Sequence, residues 1–212
     1  MTEVGHTDVA PTTAARTDIV ELLLRDHAEA KAMLARFETA PAGQKTEAFW
    51  ELTRTLVQHE VAEEEVLYPI FRKRVANGSK IAGARVAEQS RAEEMLDELE
   101  RRGVDHAGFA AGFRQLHMAV LDHARLEEQT VFPALRSALQ PEELGDLGRR
   151  YERAKAVAPT HPHPHAPDTP PGNLVLGPVA SLVDRVRDTI RTVLDDLSKR
   201  LAAPSDRPGN SG

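Results

Sequence analysis

The chain has 212 residues, which is enough for one domain with a substantial core plus an appendage. Its 27 Lys and Arg against 33 Asp and Glu give a net charge of −6, so we expect no nucleic-acid partner. The lack of cysteine excludes disulfides, thiolate metal sites, cysteine nucleophiles and ordinary iron–sulfur ligation.

The chain opens with a polar segment, residues 1–16, which we expect to be a disordered lead-in. It has no basic patch before an apolar run, and no apolar stretch reaches membrane-spanning length. We therefore expect a cytoplasmic protein without a signal peptide or a membrane partner. Asp18 followed by Glu21 is typical of a helix start, and this first helix should run to Phe37 and end before Pro41.

Three more long helices are predicted after the first. They cover about 45–76, 79–102 and 105–139. Asn77-Gly78 and Gly103 separate them, because these residues readily adopt the left-handed backbone that ends helices. The short connections favour an antiparallel up-down four-helix bundle over residues 17–140, so the expected fold class is all-α.

A phrase on the second helix recurs on the fourth. Residues 59–69 read HEVAEEEVLYP and residues 123–133 read HARLEEQTVFP. Each copy places a His four residues before a Glu, on one helical face (His59 with Glu63, His123 with Glu127). The proline closing each copy removes a backbone donor and should kink its helix just past this turn. Two such helices facing each other suit a first-row transition metal and fit a two-metal site.

The other two helices add polar residues to the same core. His27 interrupts the apolar stripe of the first helix, and Gln89 and Glu93 interrupt that of the third. Buried carboxylates are expensive unless a cation neutralises them, which favours His27 and Glu93 as further metal ligands. Glutamine is a poor ligand, so Gln89 could instead hydrogen-bond to a ligand or to bound water.

Residues beside these ligands have weaker assignments. Tyr68 either donates a hydrogen bond near the site or simply packs, and packing is the favoured interpretation. Glu60 and Glu128 should face solvent, unless a small rotation of the helix brings them onto the metals. Lys31 is expected at the rim of the site.

The rest of the chain is predicted as a helical extension of the bundle. It comprises a short charged helix at 141–158, a Pro/His-rich linker at 159–177, an amphipathic helix at 178–203 and a disordered tail at 204–212. The apolar stripe within 178–202 must be covered, either by the bundle or by another copy in a homo-oligomer.

These motifs resemble the hemerythrin-like family, specifically the HHE cation-binding domains, over about residues 18–139. The stretches that carry the resemblance are LLLRDHAEAKAML around His27, HEVAEEEVLYP around His59, EQSRAEEMLDELE around Gln89 and LDHARLEEQTVFP around His123. The resemblance implies a four-helix bundle around a non-haem di-iron centre. It also implies that the iron ligands are His27, His59, Glu63, His123 and Glu127, with Glu63 and Glu127 bridging the two irons.

The chain departs from the oxygen-carrying members in its third helix. Those proteins have two histidines one turn apart where this chain has Gln89 and Glu93. A ligand set of three His and three Glu leans toward the di-iron carboxylate proteins, in which anionic oxygen ligands stabilise the ferric state. We therefore expect a protein that binds or reacts with oxygen, peroxide or nitric oxide, with catalase-like peroxide removal as its enzymatic form.

Alternatives remain open on the sequence alone. The protein could be an iron- or oxygen-sensing or iron-binding module that acts through a partner. The same ligand types also admit zinc or manganese. The least favoured interpretation is a bundle whose polar core residues only hydrogen-bond to one another.

Overall fold

The computed structural model describes residues 17–162, and this range is all-α as the sequence predicts. The predicted lead-in at 1–16, most of the linker, the helix at 178–203 and the tail at 204–212 lie outside the described residues. Among the described helices, none is both long enough and apolar enough to span a membrane.

Four helical rods form a bundle, and a further helix packs beside them. The elements are α1 (Ile19–Thr39), α2 (Lys45–Ala62) continued by α3 (Tyr68–Arg74), α4 (Gly78–Arg102), α5 (Phe109–Leu126) continued by α6 (Phe132–Ala138), and α7 (Pro141–Val157). A short 3-10 turn at Ala42–Gln44 joins α1 to α2.

The helix ends follow the predicted signals. Oδ1 of Asp18 accepts a hydrogen bond from the backbone N–H of Glu21 at 2.8 Å, which satisfies a donor in the first turn of α1. Asn77 has φ 57° just before α4, and Gly103 has φ 75° at its end. Both residues therefore reverse the chain through the left-handed region, as the sequence predicts.

A π-helical turn interrupts each helix that carries the repeated phrase. These turns, Glu63–Leu67 and Glu127–Val131, begin at the ligand glutamates, and in each the next aromatic N–H bonds to the carbonyl of that glutamate. The sequence predicts a kink at the prolines, whereas the structure widens the turn that precedes them. Proline has no N–H to continue the α-helical ladder, so the ladder closes just before it and a new helix starts.

The bundle contains two apolar clusters with a polar layer between them. One cluster includes Leu23, Val66 and Phe71 together with residues of α6 and α7. The other is rich in aromatic contacts and includes Phe37 and Phe113, whose rings lie 4.1 Å apart between centroids. The ligand candidates lie along the helices between these clusters, where water is largely excluded.

Helix α7 packs into the bundle and does not extend away from it. Leu144, Leu147 and Tyr151 belong to the first apolar cluster, and Tyr151 is only 1% exposed. Gly148 permits this close packing, because a Cβ atom there would lie 2.7 Å from the carbonyl oxygen of Thr17. The region of α7 is therefore part of the domain core.

Candidate metal centre

Side chains from three of the four rods converge between the apolar clusters. His27, His59, Glu63 and Glu127 are all buried, and each offers a ligand atom within 4.8 Å of those of the others. His123 joins them, because its Nε2 lies 3.3 Å from Oε2 of Glu127, the same distance as Nε2 of His27 from that oxygen. The structure thus brings together the two repeated His–Glu pairs and His27.

The inward-facing atoms of this group lack hydrogen bonds. Within residues 17–162, no hydrogen-bond partner meets Nε2 of any of the three histidines, Oε1 of Glu63 or Oε2 of Glu127, although all are buried. Burying such polar atoms without partners costs about 1–3 kcal/mol each. A metal ion that accepts their lone pairs would remove this penalty, so these residues fit a nitrogen- and oxygen-ligated metal.

The outward-facing nitrogen of each histidine does have a partner. The Nδ1 partners are Glu128 for His27 at 3.0 Å, Glu88 for His123 at 3.1 Å, and the Tyr151 hydroxyl for His59 at 2.7 Å. Such contacts place the ring proton on Nδ1 and leave the Nε2 lone pair for a metal. Glu128 is therefore only partly turned to solvent, with a 29% exposed side chain, because its carboxylate also holds the ring of His27.

Three carboxylates near the histidines are each paired with a cation. These pairs are Lys31 with Glu128 at 2.8 Å, Arg85 with Glu88 at 2.6 Å, and Lys155 with Asp26 at 2.7 Å. Lys31 lies at the rim as predicted, with a 40% exposed side chain. The cations balance the negative charge of these three carboxylates.

The two glutamates are also held from behind. Nε2 of Gln89 donates a hydrogen bond to Oε2 of Glu63 at 2.7 Å, and the hydroxyl of Tyr68 donates to Oε1 of Glu127. Gln89 therefore contacts a candidate ligand through its amide nitrogen. Tyr68 is fully buried and hydrogen-bonded, so packing alone does not describe its role.

Glu93 occupies a different place from the buried ligand candidates. It is half-buried on α4 and is not among the four residues whose ligand atoms lie within 4.8 Å of one another. Its carboxylate is close enough to Glu60 to help raise the pKa of that group, and Glu60 also interacts with His123. Its assignment as a ligand stays a prediction.

The metal-free site carries strongly perturbed groups. Burial, and then the charges of Glu127 and Glu60, raise the pKa of Glu63 well above its usual value. Burial alone would lower the pKa of His123, but its close contact with the carboxylate of Glu127 and the charge of that residue raise this pKa to about 9. Burial opposes the ionisation of Glu127 too, yet the nearby imidazoles of His123 and His27 lower its pKa. Such opposed shifts are typical of functional sites.

A small cavity of about 20 Å³ adjoins the cluster. The three histidines and Glu60 line one part of it, and apolar side chains such as Leu56 and Val120 line another. This volume suffices for a ligand of about water size.

Several residues of the site are not apparent from the sequence. They are Asp26, Arg85, Glu88, Tyr151 and Lys155. Only Asp26, as the direct neighbour of His27, and the pair Arg85 and Glu88, three residues apart on one helix, carry any local signal. The others contact their partners across 92 or more residues of chain.

Comparisons with known proteins point to a cation-binding family. Residues 18–135 match the family described as the Hemerythrin HHE cation binding domain. The chain is 33% identical over 153 residues to an uncharacterised hemerythrin-like protein of Schizosaccharomyces pombe, covering 72% of this chain and 73% of that protein.

Two further proteins are similar over most of the bundle. A protein of Nostoc sp. named DNA nickase is 29% identical over 140 residues, but the match covers 66% of this chain and only 39% of that protein. A crystal structure of a hemerythrin HHE cation binding domain-containing protein from Mycobacterium kansasii has a TM-score of 0.58 and 23% identity. The aligned region covers 66% of this chain and 88% of the Mycobacterium kansasii chain, and this similarity supports the helical-bundle fold.

Proposed function

This chain belongs to the hemerythrin HHE cation-binding domain family, and we propose that it is a non-haem di-iron protein that binds or reacts with small oxidants. The oxidants are oxygen, peroxide or nitric oxide, and catalase-like peroxide removal is the enzymatic form of the proposal. The observation that carries it is the set of buried, unpartnered Nε2 atoms that face two buried carboxylates.

The proposed iron ligands follow from that set. They are His27, His59, Glu63, His123 and Glu127, with Glu93 as a sixth ligand on the side of His123 and Glu60. Glu63 and Glu127 would supply the two buried carboxylates of the site. The residue types also admit zinc or manganese, and iron is proposed because it is the usual metal of this family.

Iron held here would supply ions able to bind a small oxidant and exchange electrons with it. The protein residues fix the orientation of the ligand side chains and the position of the protons on the imidazoles. The Nδ1 contacts of the three imidazoles leave their Nε2 lone pairs for a metal. Tyr68 and Gln89 orient the two glutamates through hydrogen bonds. The apolar clusters on both sides exclude bulk water from the centre.

The size of the cavity supports small oxidants as the ligand class. A cavity of about 20 Å³ suits a ligand close to water in size and is too small for an organic substrate. Small side chains, Ala30, Ala92 and Ala124, line this space together with Leu56 and Val120. These apolar side chains offer no hydrogen bonds, so recognition falls to the metal and to the polar residues that also line the cavity, among them the three histidines and Glu60.

The test is the iron content of protein purified aerobically without added metal. We expect about two irons per chain, and loss of iron and of peroxide turnover in Glu63→Ala and Glu127→Ala variants. Glu94→Ala, which removes an exposed carboxylate of α4, is the matched control and should retain both. Peroxide turnover undiminished in iron-free protein, or no iron uptake after treatment with ferrous salt, would refute the proposal.

A further inference from the structure

His59 is held differently from the other two histidines of the centre. Nδ1 of His27 and of His123 each meet a glutamate directly, whereas Nδ1 of His59 meets the hydroxyl of Tyr151 at 2.7 Å. The nearby carboxylate, Oδ2 of Asp26, lies 3.7 Å from this nitrogen, which is too far for a hydrogen bond.

The direction of this contact follows from the available protons. The hydroxyl of Tyr151 has one hydrogen and lies 2.7 Å from Oδ2 of Asp26, and Nζ of Lys155 donates to the same oxygen at 2.7 Å. A carboxylate paired with an ammonium group accepts hydrogen bonds, so the tyrosine donates its hydrogen to Asp26. The hydroxyl oxygen is then the acceptor for His59, whose Nδ1 must carry the ring proton.

We propose that Tyr151 is a positioning residue for the metal centre, acting within a chain of hydrogen bonds from His59 through Tyr151 to Asp26 and Lys155. The chain holds the imidazole as the Nδ1–H tautomer and turns its Nε2 lone pair toward Glu63. The role in metal binding rests on the proposed function, whereas the tautomer and ring orientation are properties of the metal-free protein.

Helix α7 is therefore a structural part of the centre. Tyr151 and Lys155 lie one helical turn apart on α7, beyond residues 18–135 that match the family. Gly148, three residues before Tyr151, lets this helix approach the start of α1, which is the helix that carries Asp26. A bundle without α7 would leave the buried Asp26 and Nδ1 of His59 without these partners.

Tyr151→Phe in the full chain tests the proposal with little change in shape. The phenyl ring keeps the packing of Tyr151, but the acceptor for His59 and a donor to Asp26 are lost. We expect the ring N–H of His59, followed by ¹⁵N NMR of the metal-free protein, to lose its single Nδ1–H form and to exchange faster with water. We also expect loaded iron to transfer to a ferrous chelator about 10–100-fold faster.

Leu147→Ala is the matched control on the same helix. Leu147 is buried in the same apolar cluster, and its side chain has no polar atom to offer the site. This variant should lower thermal stability as a packing defect does, while the His59 ring signal stays in its parent form. Its iron release should remain closer to that of the parent than to that of Tyr151→Phe.

Two results would overturn the proposal. One is a His59 ring signal and an iron-release rate in Tyr151→Phe that match those of the parent. The other is faster iron release in both Tyr151→Phe and Leu147→Ala, in proportion to their loss of stability. That result would mean that α7 acts on the centre only through packing. If the parent chain takes up no iron, the proposed function fails, and the NMR signal of the metal-free protein alone decides whether Tyr151 holds His59.

Discussion

The hydroxyl of Tyr68 donates a hydrogen bond to Oε1 of Glu127, so the aromatic residue of the first repeated phrase holds the glutamate of the second. The equivalent residue of the second phrase, Phe132, has no hydroxyl, and its ring stacks against His27 with centroids 5.4 Å apart. Glu63 takes its hydrogen bond from Gln89 instead. The two halves of the site are thus related in sequence but differ in the groups that orient their carboxylates.

Tyr68→Phe should destabilise the metal-free protein. It leaves a buried carboxylate oxygen of Glu127 without its donor, which predicts a loss of about 1–3 kcal/mol in the free energy of unfolding. Chemical denaturation of metal-free protein measures it. Thr130→Val is a control, because it removes an exposed hydroxyl that bonds only to the carbonyl of Leu126, and it should change stability by less than about 0.5 kcal/mol. Equal losses in the two variants would contradict this role for Tyr68.

Gln89→Leu tests the corresponding contact on the other glutamate. The leucine is similar in size but offers no N–H to Oε2 of Glu63, so this carboxylate should be less well oriented for metal. We expect iron to be lost to a chelator about tenfold faster. Gln129→Leu, at an exposed position that contacts Arg125, should release iron at the parent rate. An unchanged rate in Gln89→Leu would mean that its amide does not support the centre.

The fold could be predicted because its signals are local. Apolar residues at three- and four-residue steps define the rods, and Asn77 and Gly103 end them with left-handed backbone. The His–Glu pairs could be identified for the same reason, since a spacing of four residues places both side chains on one helical face. Where a site residue and its partner lie on one helix, the sequence therefore carries the information.

The supports of the histidines could not be predicted, because they come from other helices. Glu88 and His123 are 35 residues apart, and Tyr151 and His59 are 92 apart. Helix α7 is charged along much of its length, so its sequence suggests a surface helix, and one buried tyrosine is not a recognisable motif. The π-helical turns could not be predicted either, because the proline that follows each of them is equally compatible with a kink in an otherwise regular helix.

Iron uptake should release protons. At pH 7 the metal-free protein holds a proton on His123, whose pKa is raised to about 9, and burial raises the pKa of Glu63 well above its usual value, which favours the protonated form of that group too. A metal needs the lone pair of the imidazole and the ionised carboxylate, so a proton on either group must leave. The apparent affinity for ferrous iron should therefore rise as the pH increases toward 9.

Calorimetry in buffers of different ionisation enthalpy measures this release. We expect at least one proton per chain at pH 7, and about one fewer in a His123→Gln variant, which has no imidazole to deprotonate. His106→Gln, on an exposed loop, should release the same number as the parent. Iron binding with the same observed enthalpy in every buffer would show that the site holds no displaceable protons.

Gly148→Ala should weaken the centre from a distance. The added Cβ would lie 2.7 Å from the carbonyl oxygen of Thr17, and backbone atoms cannot yield as a flexible side chain can, so α7 must move away from α1. We expect a loss of about 1–3 kcal/mol in stability and faster iron release, because Tyr151 moves with the helix.

Gly83→Ala makes the same substitution at an exposed position of α4 with no atom within 4 Å, and should stabilise the protein by about 0.5–1 kcal/mol. Parent-like stability and iron retention in Gly148→Ala would mean that α7 does not depend on this close contact. A loss of stability with faster iron release in Gly148→Ala, but not in Gly83→Ala, would tie the docking of α7 to the metal centre.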